Sequence, residues 1–241
     1  MQIPVICFPF AGAGATVYRR CQEYGSEQLL LVPVQLPGRE ERFAEPLFTD
    51  VANAVDDLLP ALLDQLAGYP QVALFGHSLG AVLAYETAHR LTGAAGPQLL
   101  KLFVSGSPGP WTQRGIRATG LSDQAFLAQV TELAGYAHPA LEHPDLREVL
   151  LPTLRADVEM HESYLGPEDK PLAVPIVSVR GDQDQLVSRE QAGEWAAATA
   201  AGYRHVELPG GHMYLTDSAA ELVRLLETEL AAERTTVQVR R

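Results

Sequence analysis

The stretch "VALFGHSLGAVLAYETAHRL" (72–91) decides how the rest of the chain is read. An apolar run ends at Gly76, Ser78 and Gly80 follow at two-residue steps, and a helical pattern then begins. A serine on such a strand-to-helix turn must take a strained backbone to lift its Oγ above a sheet. Glycines two residues before and two after relieve the crowding against the neighbouring strand and helix. The helix that follows aims its first amides at a place where negative charge would develop. G-x-S-x-G alone is only moderately specific, so a nucleophilic Ser78 needs a base, an acid and oxyanion donors elsewhere in the chain.

Short apolar runs recur on both sides of this stretch: "IPVICF" (3–8), "LLLVPVQ" (29–35), "LLKLFVS" (99–105), "VPIVSVRG" (174–181) and "YRHVEL" (203–208). Several are apolar nearly throughout, as suits strands buried on both faces of a parallel sheet. Helical patterns alternate with them. In "TDVANAVDDLLPALLDQL", Val51, Val55, Leu58, Leu62 and Leu66 recur at three to four residues behind Thr49 as N-cap, with Pro60 expected to kink or break the helix. "DSAAELVRLLETELAAE" (217–233) places Leu222, Leu226 and Leu230 on one stripe, and the tail "RTTVQVRR" is expected to fray. The alternation predicts a single α/β domain over 1–241 with a mostly parallel central sheet and helices on both faces. From about 107 to 171 no strand is legible, and a structureless loop of roughly that length is implausible. The two helical patterns there, in "SDQAFLAQVTELAGY" and "DLREVLLPTLRADVEMHESYL", predict a helical insertion over one edge of the sheet.

Active sites of parallel sheets lie at the carboxyl ends of the strands. Two later runs end in the residue types Ser78 needs. "VPIVSVRGDQDQLVS" closes on a loop with Asp182 and Asp184, and "YRHVELPGGHMYL" on a Gly-Gly turn and His212. The order Ser, Asp, His is that of α/β-hydrolases. His212 is the expected base, and the aspartate orients its imidazole. Asp184 is favoured because the loop has turned back over the sheet by that point, whereas Asp182 suits a turn cap. A calcium loop fits less well, since Leu186 takes the next ligand position. The oxyanion amides are expected from Leu79, which follows the serine, and from Ala11 in "FPFAGAG" (8–14), with Gly12 and Gly14 letting the backbone curl. That loop lacks the spacing and the Lys-Ser/Thr of a phosphate cradle. His77 is poorly placed to serve its own neighbour as base. His138, His143 and His161 lack metal-ligand spacing, and no metal or cofactor is implied.

The net charge of −12 argues against nucleic-acid binding. Cys7 and Cys21 fit no disulfide or zinc pattern and are expected as buried or idle thiols in a reducing compartment. "MQIPVICFPF" lacks the basic segment and long apolar core of a signal peptide, and no run approaches a membrane span, so a cytoplasmic protein away from membranes is expected; a monomer is also expected.

Together "FPFAGAG", "LPGREER" (36–42), "FGHSLGAVLAYE" (75–86), "LPTLRADVEMHESY" (151–164), "RGDQDQLV" (180–187) and "PGGHMYL" (209–215) resemble the type II thioesterases, the stand-alone editing hydrolases of polyketide and nonribosomal peptide synthases. The likeness spans nearly the whole chain, and "LPTLRAD" separates it from general esterases. It departs in the first loop, where "AGAG" replaces the commoner "AGGG". The resemblance implies an α/β-hydrolase fold, a triad of Ser78, Asp184 and His212, and an acyl group carried on the phosphopantetheine arm of an acyl or peptidyl carrier protein. Carrier domains are usually acidic, as is this chain, so docking is expected through local basic residues, with Arg39 and Arg42 as candidates. The insertion is expected to act as a mobile lid. Two other readings stand beside this one: a carboxylesterase or lipase-like hydrolase with the same triad, and a binding module without catalysis.

Overall fold

The computed structural model describes residues 2–93, 96–113, 115–134, 139–167 and 170–239. Among these residues six strands, β1 (Ile3–Phe8), β2 (Leu29–Pro33), β3 (Gln71–His77), β4 (Gln98–Ser105), β5 (Ile176–Gly181) and β6 (Tyr203–Leu208), form one sheet in the order β2-β1-β3-β4-β5-β6. Every neighbouring pair is parallel. The apolar runs form these strands because β1, β3, β4 and β5 are covered on both faces, so nearly every residue of each is buried.

Among the described residues seven α-helices accompany the sheet: α1 (Thr16–Arg19), α2 (Val51–Gln65), α3 (Leu79–Thr92), α4 (Asp123–Ala134), α5 (Pro144–Ser163), α6 (Arg189–Gly193) and α7 (Ala219–Val239). Helices α2 and α3 cover one face through Val55, Leu58, Leu62, Leu83 and Tyr85 against Ile6, Leu74 and Leu102. The other face carries α7, where Leu222, Leu226 and Leu230 meet Val5, Phe75 and Phe103. Cys7 and Cys21 are unpaired and buried, in that second layer.

Three local expectations are corrected. The N-cap of α2 is Asp50 and not Thr49, because the Asp50 carboxylate accepts the Asn53 amide at 2.8 Å. Of the kink or break expected at Pro60, the break does not occur, since α2 runs through it to Gln65. Helix α7 continues through Val239, past the point where fraying was expected. Among the described residues no helix is long and apolar enough to cross a membrane.

Helices α4 and α5 fall between β4 and β5, where the sequence shows no strand. They share a small apolar cluster of Ala118, Phe126, Leu151 and Leu154, against which Ala11 packs. Helix α5 is also tied to the body of the fold. Thr153 donates its hydroxyl to the Gly38 carbonyl at 3.0 Å, and Tyr164, just past the helix end, donates to Glu86 of α3 at 2.9 Å.

Candidate active site

Ser78 sits between β3 and α3 with φ 53° and ψ −115°. Positive φ is costly for a residue with a Cβ, and the surrounding packing over-determines it here. The Ser78 amide donates to the Ser105 carbonyl at 2.7 Å, so the turn is pinned to the end of β4. Leu79 is the first residue of α3, and its amide precedes the helix's own hydrogen-bond ladder.

The loops after β5 and β6 are held together before they reach the serine. Gly181 packs so closely beneath the second loop that a Cβ there would lie 2.3 Å from the Gly210 carbonyl oxygen. The Gln183 amide donates to that carbonyl at 2.9 Å, and the Gly210 amide donates to Asp182 Oδ1 at 2.9 Å. Asp182 therefore secures the histidine loop, while Asp184 faces the imidazole: His212 Nδ1 and Asp184 Oδ2 are 2.9 Å apart. The other oxygen of Asp184 accepts the amides of Leu186 and Val187 at 2.8 and 3.0 Å. Burial pushes the Asp184 carboxyl up, but His212 and those two amides outweigh it and hold the group below its ordinary value. Arg180 braces the loop from beneath, donating to the carbonyls of Asp184 and Val187.

His212 reaches across the ends of β5 and β4, and its ring centroid lies 4.9 Å from that of His77, the residue before Ser78. The structure thus brings Ser78, Asp184 and His212 to one end of the sheet. His77 is fully buried, with Nδ1 2.9 Å from Ser105 Oγ, which lies 2.7 Å from the Tyr214 hydroxyl. Its ring is a wall of the site, fixed from the side of β4. Sequence reasoning missed this wall and also Gly106, whose φ of +56° and position against both histidine rings make it part of the site. Gly106 directly follows the last residue of β4, as Ser78 follows that of β3, and the strand-end rule applied to "FVSGSPG" would have found it.

In the first loop the Ala13 amide donates to the Phe10 carbonyl at 3.0 Å, so Ala11 and Gly12 form the middle of a turn. The Gly12 amide is taken by Asp157 of α5 at 2.7 Å. One turn along α3 from Ser78, a small cleft lined by Val82, Ser107, Pro110, His161 and Tyr164 opens between α3, the loop after β4 and the end of α5. His138 lies outside the described residues.

The arginines depart from expectation. Arg39 is 9% exposed and grips Asp157, which is fully buried, so it offers no charge to a partner. Arg42 is part-exposed, but its guanidinium is held by Glu45 and by Asp57 at 2.9 Å. An arginine in "LPGREER" reads as a surface charge only until its acid, Asp157, is known to lie on another element.

The Thioesterase domain family matches residues 3–230. Thioesterase PikA5 of Streptomyces venezuelae is 31% identical over 232 residues, covering 96% of this chain and 82% of that protein. The solved RedJ thioesterase from the prodiginine pathway of Streptomyces coelicolor superposes with a TM-score of 0.87 at 32% identity, over 94% of this chain and 90% of that one. The type II thioesterase BorB from the borrelidin biosynthetic cluster gives 0.85 at 32% identity, over 95% and 93%. Likeness of this extent, in sequence and backbone alike, means that the chain belongs to the thioesterase family, as an α/β-hydrolase-fold thioester hydrolase of the type II kind found in polyketide and nonribosomal peptide pathways.

Proposed function

We propose that the protein removes acyl groups from the phosphopantetheine arm of carrier proteins through Ser78, His212 and Asp184. The observation that carries this reading is the hydrogen bond between His212 and Asp184 at the same end of the sheet as the strained turn at Ser78, with the His212 ring against His77, the residue before it. Ser78 Oγ attacks the thioester carbonyl as His212 Nε2 takes its proton, and Asp184 stabilises the imidazolium that forms. The amides of Ala11 and Leu79 receive the oxyanion. Collapse of the tetrahedral intermediate breaks the C–S bond, and His212 returns the proton to the departing thiol. Water then attacks the acyl-serine by the same route in reverse, giving a free acid and restoring Ser78.

The acyl chain enters beside Val82 and Tyr164, where the narrow cleft widens as the helical insertion moves, and the insertion thereby selects acyl length. The family's place in polyketide and nonribosomal peptide pathways supports a carrier-bound substrate. A triad alone would serve an oxygen ester equally well.

The test is acyl release from an acyl-loaded carrier protein, beside the matching acyl-CoA and p-nitrophenyl ester, for wild type and Ser78→Ala. Preference for the carrier, abolished in the variant, is expected. Faster turnover of the oxygen ester with no gain from the carrier would point to a carboxylesterase. A folded wild-type protein inert to all three would leave only a binding role.

A further inference from the structure

Asp157 belongs to α5 of the insertion, yet its carboxylate serves segments at the carboxyl ends of β1 and β2. Oδ2 accepts the Gly12 amide at 2.7 Å and lies 2.5 Å from Arg39 Nη1. Oδ1 accepts Arg39 Nη2 at 2.8 Å. Arg39 is itself fixed, donating to the Pro37 carbonyl at 3.1 Å and to the Ala13 carbonyl at 3.3 Å. A fully buried ion pair is weak as a source of stability, because an apolar pair of similar volume often does as well. What this pair adds to packing is direction.

The direction concerns one peptide group. Ala11 and Gly12 are the central residues of the turn closed by Ala13 and Phe10, and Gly12 has φ +77°, as the third position of a type II turn requires. The peptide between two central turn residues can face either way, and types I and II differ in that choice. Its N–H here is that of Gly12, which Asp157 holds. Leu154, one turn earlier on α5, closes the space above Gly12, with its Cδ1 3.1 Å from where a Cβ would stand. Ala11 is thus fixed from its carboxyl side by a helix of the insertion.

We propose that Asp157, steered by Arg39, is a positioning residue for the oxyanion loop. It locks the Ala11–Gly12 peptide so that the Ala11 amide faces the reacting carbonyl, and it makes that alignment depend on the seating of α5. This rests on the reading of Ser78 as nucleophile and Ala11 as oxyanion donor.

Asp157→Ala, Asp157→Asn and the double variant Arg39→Met/Asp157→Leu test it. The readouts are kcat and KM on an acyl-CoA thioester, and affinity for an acyl trifluoromethyl ketone, whose adduct with Ser78 carries an oxyanion. Loss of alignment without loss of the donor should cost less than removing an oxyanion donor outright. We expect kcat to fall about 10–100-fold in the alanine and double variants, with KM within about threefold. Ketone affinity should fall in parallel with kcat. Asp157→Asn, which keeps one acceptor for Gly12, should lie between these and wild type.

Asp157→Ala strands a buried arginine and is prone to unfold, so the double variant, with both charges gone, is decisive. If the double variant is folded and has wild-type kcat and ketone affinity, the proposal is overturned. A loss confined to KM or to thermal stability overturns it equally. Should the double variant not fold, the isosteric asparagine variant decides by the same comparison. Thioester turnover by Ser78→Ala, or a wild type blind to the ketone, would instead refute the underlying site.

Discussion

A methyl group on Gly76 would lie 1.8 Å from the carbonyl oxygen of Gly80, and one on Gly80 would lie 2.2 Å from that of Phe8. These contacts join the turn that bears Ser78 to the end of β1, where the loop of Ala11 and Gly12 departs. Gly76→Ala must therefore push α3 away from β3, because both obstructing atoms are backbone. Overpacking at such a site costs about 1–3 kcal/mol. The displaced Ser78 should lower kcat by about 100-fold or more, since small misplacements at a reacting centre carry penalties of that order. Denaturant unfolding and thioester turnover measured together check it. A folded variant of wild-type activity would mean that the turn tolerates a shift the geometry forbids.

Asp184 gives a pH signature. Its carboxyl is held below its ordinary value, against the pull of burial, by His212 and the amides of Leu186 and Val187. A depressed folded-state pKa stabilises the protein above the unfolded value, about 3.9 for aspartate, and that contribution fades as pH falls through the folded value. Wild type should therefore lose stability below about pH 4 more steeply than Asp184→Asn. At neutral pH the asparagine variant should be folded but slower on the order of 10⁴-fold, its imidazole held in the wrong tautomer. Parallel acid-side stability curves for the two proteins would show that Asp184 is not ionised against His212.

Much of this arrangement was legible in the chain. The strands declare themselves because burial on both faces makes "IPVICF" and "LLKLFVS" continuously apolar, and their turn residues mark where each stops. Ser78, Asp184 and His212 were legible because each follows a strand end, and in a parallel sheet such positions share the carboxyl end of the sheet. Asp157 was not, though "LPTLRAD" was singled out. A helix residue faces its neighbours at every fourth position, and nothing local says that this face meets Gly12 and Arg39. Arg39 was misread for the same reason. A surface charge and a buried clamp look alike in sequence until the partner's position is known. Asp50 displaced Thr49 as N-cap by a single residue, the ordinary uncertainty of helix ends.

Lys101 and Glu229 form a second buried ion pair, with Nζ 2.9 Å from the carboxylate, joining β4 to α7. Arg204 also holds Glu229, so Lys101→Met leaves the carboxylate one partner. Breaking a buried pair costs about 3–5 kcal/mol when the remaining charge is stranded, and the surviving arginine should bring this to about 2–3 kcal/mol. Lys101 lies four residues before the carboxyl end of β4, away from Ser78, so kcat below the melting range should be unchanged. A chemical-denaturation series beside a turnover assay checks both halves. A lower kcat in the folded variant would show that α7 communicates with the site.

Gly106 offers the sharpest test of how the imidazoles are placed. A Cβ there would stand 2.4 Å from His77 Cε1 and 3.1 Å from His212 Cε1, and the residue's φ is +56°. Any side chain must move one ring or both, and the left-handed backbone adds its own strain. The His212 ring cannot shift without lengthening its 2.9 Å contact with Asp184. Gly106→Ala should thus lower kcat by about 100-fold, a loss of roughly 2.7 kcal/mol in transition-state stabilisation. Gly115→Ala is the control, because a Cβ at that glycine meets nothing within 4 Å. The imidazole N–H resonance of His212 followed by NMR should shift in Gly106→Ala and stay in place in the control. Equal activity of the two variants would mean that the ring wall behind His212 gives way freely, and that the Asp184 contact alone sets the imidazole.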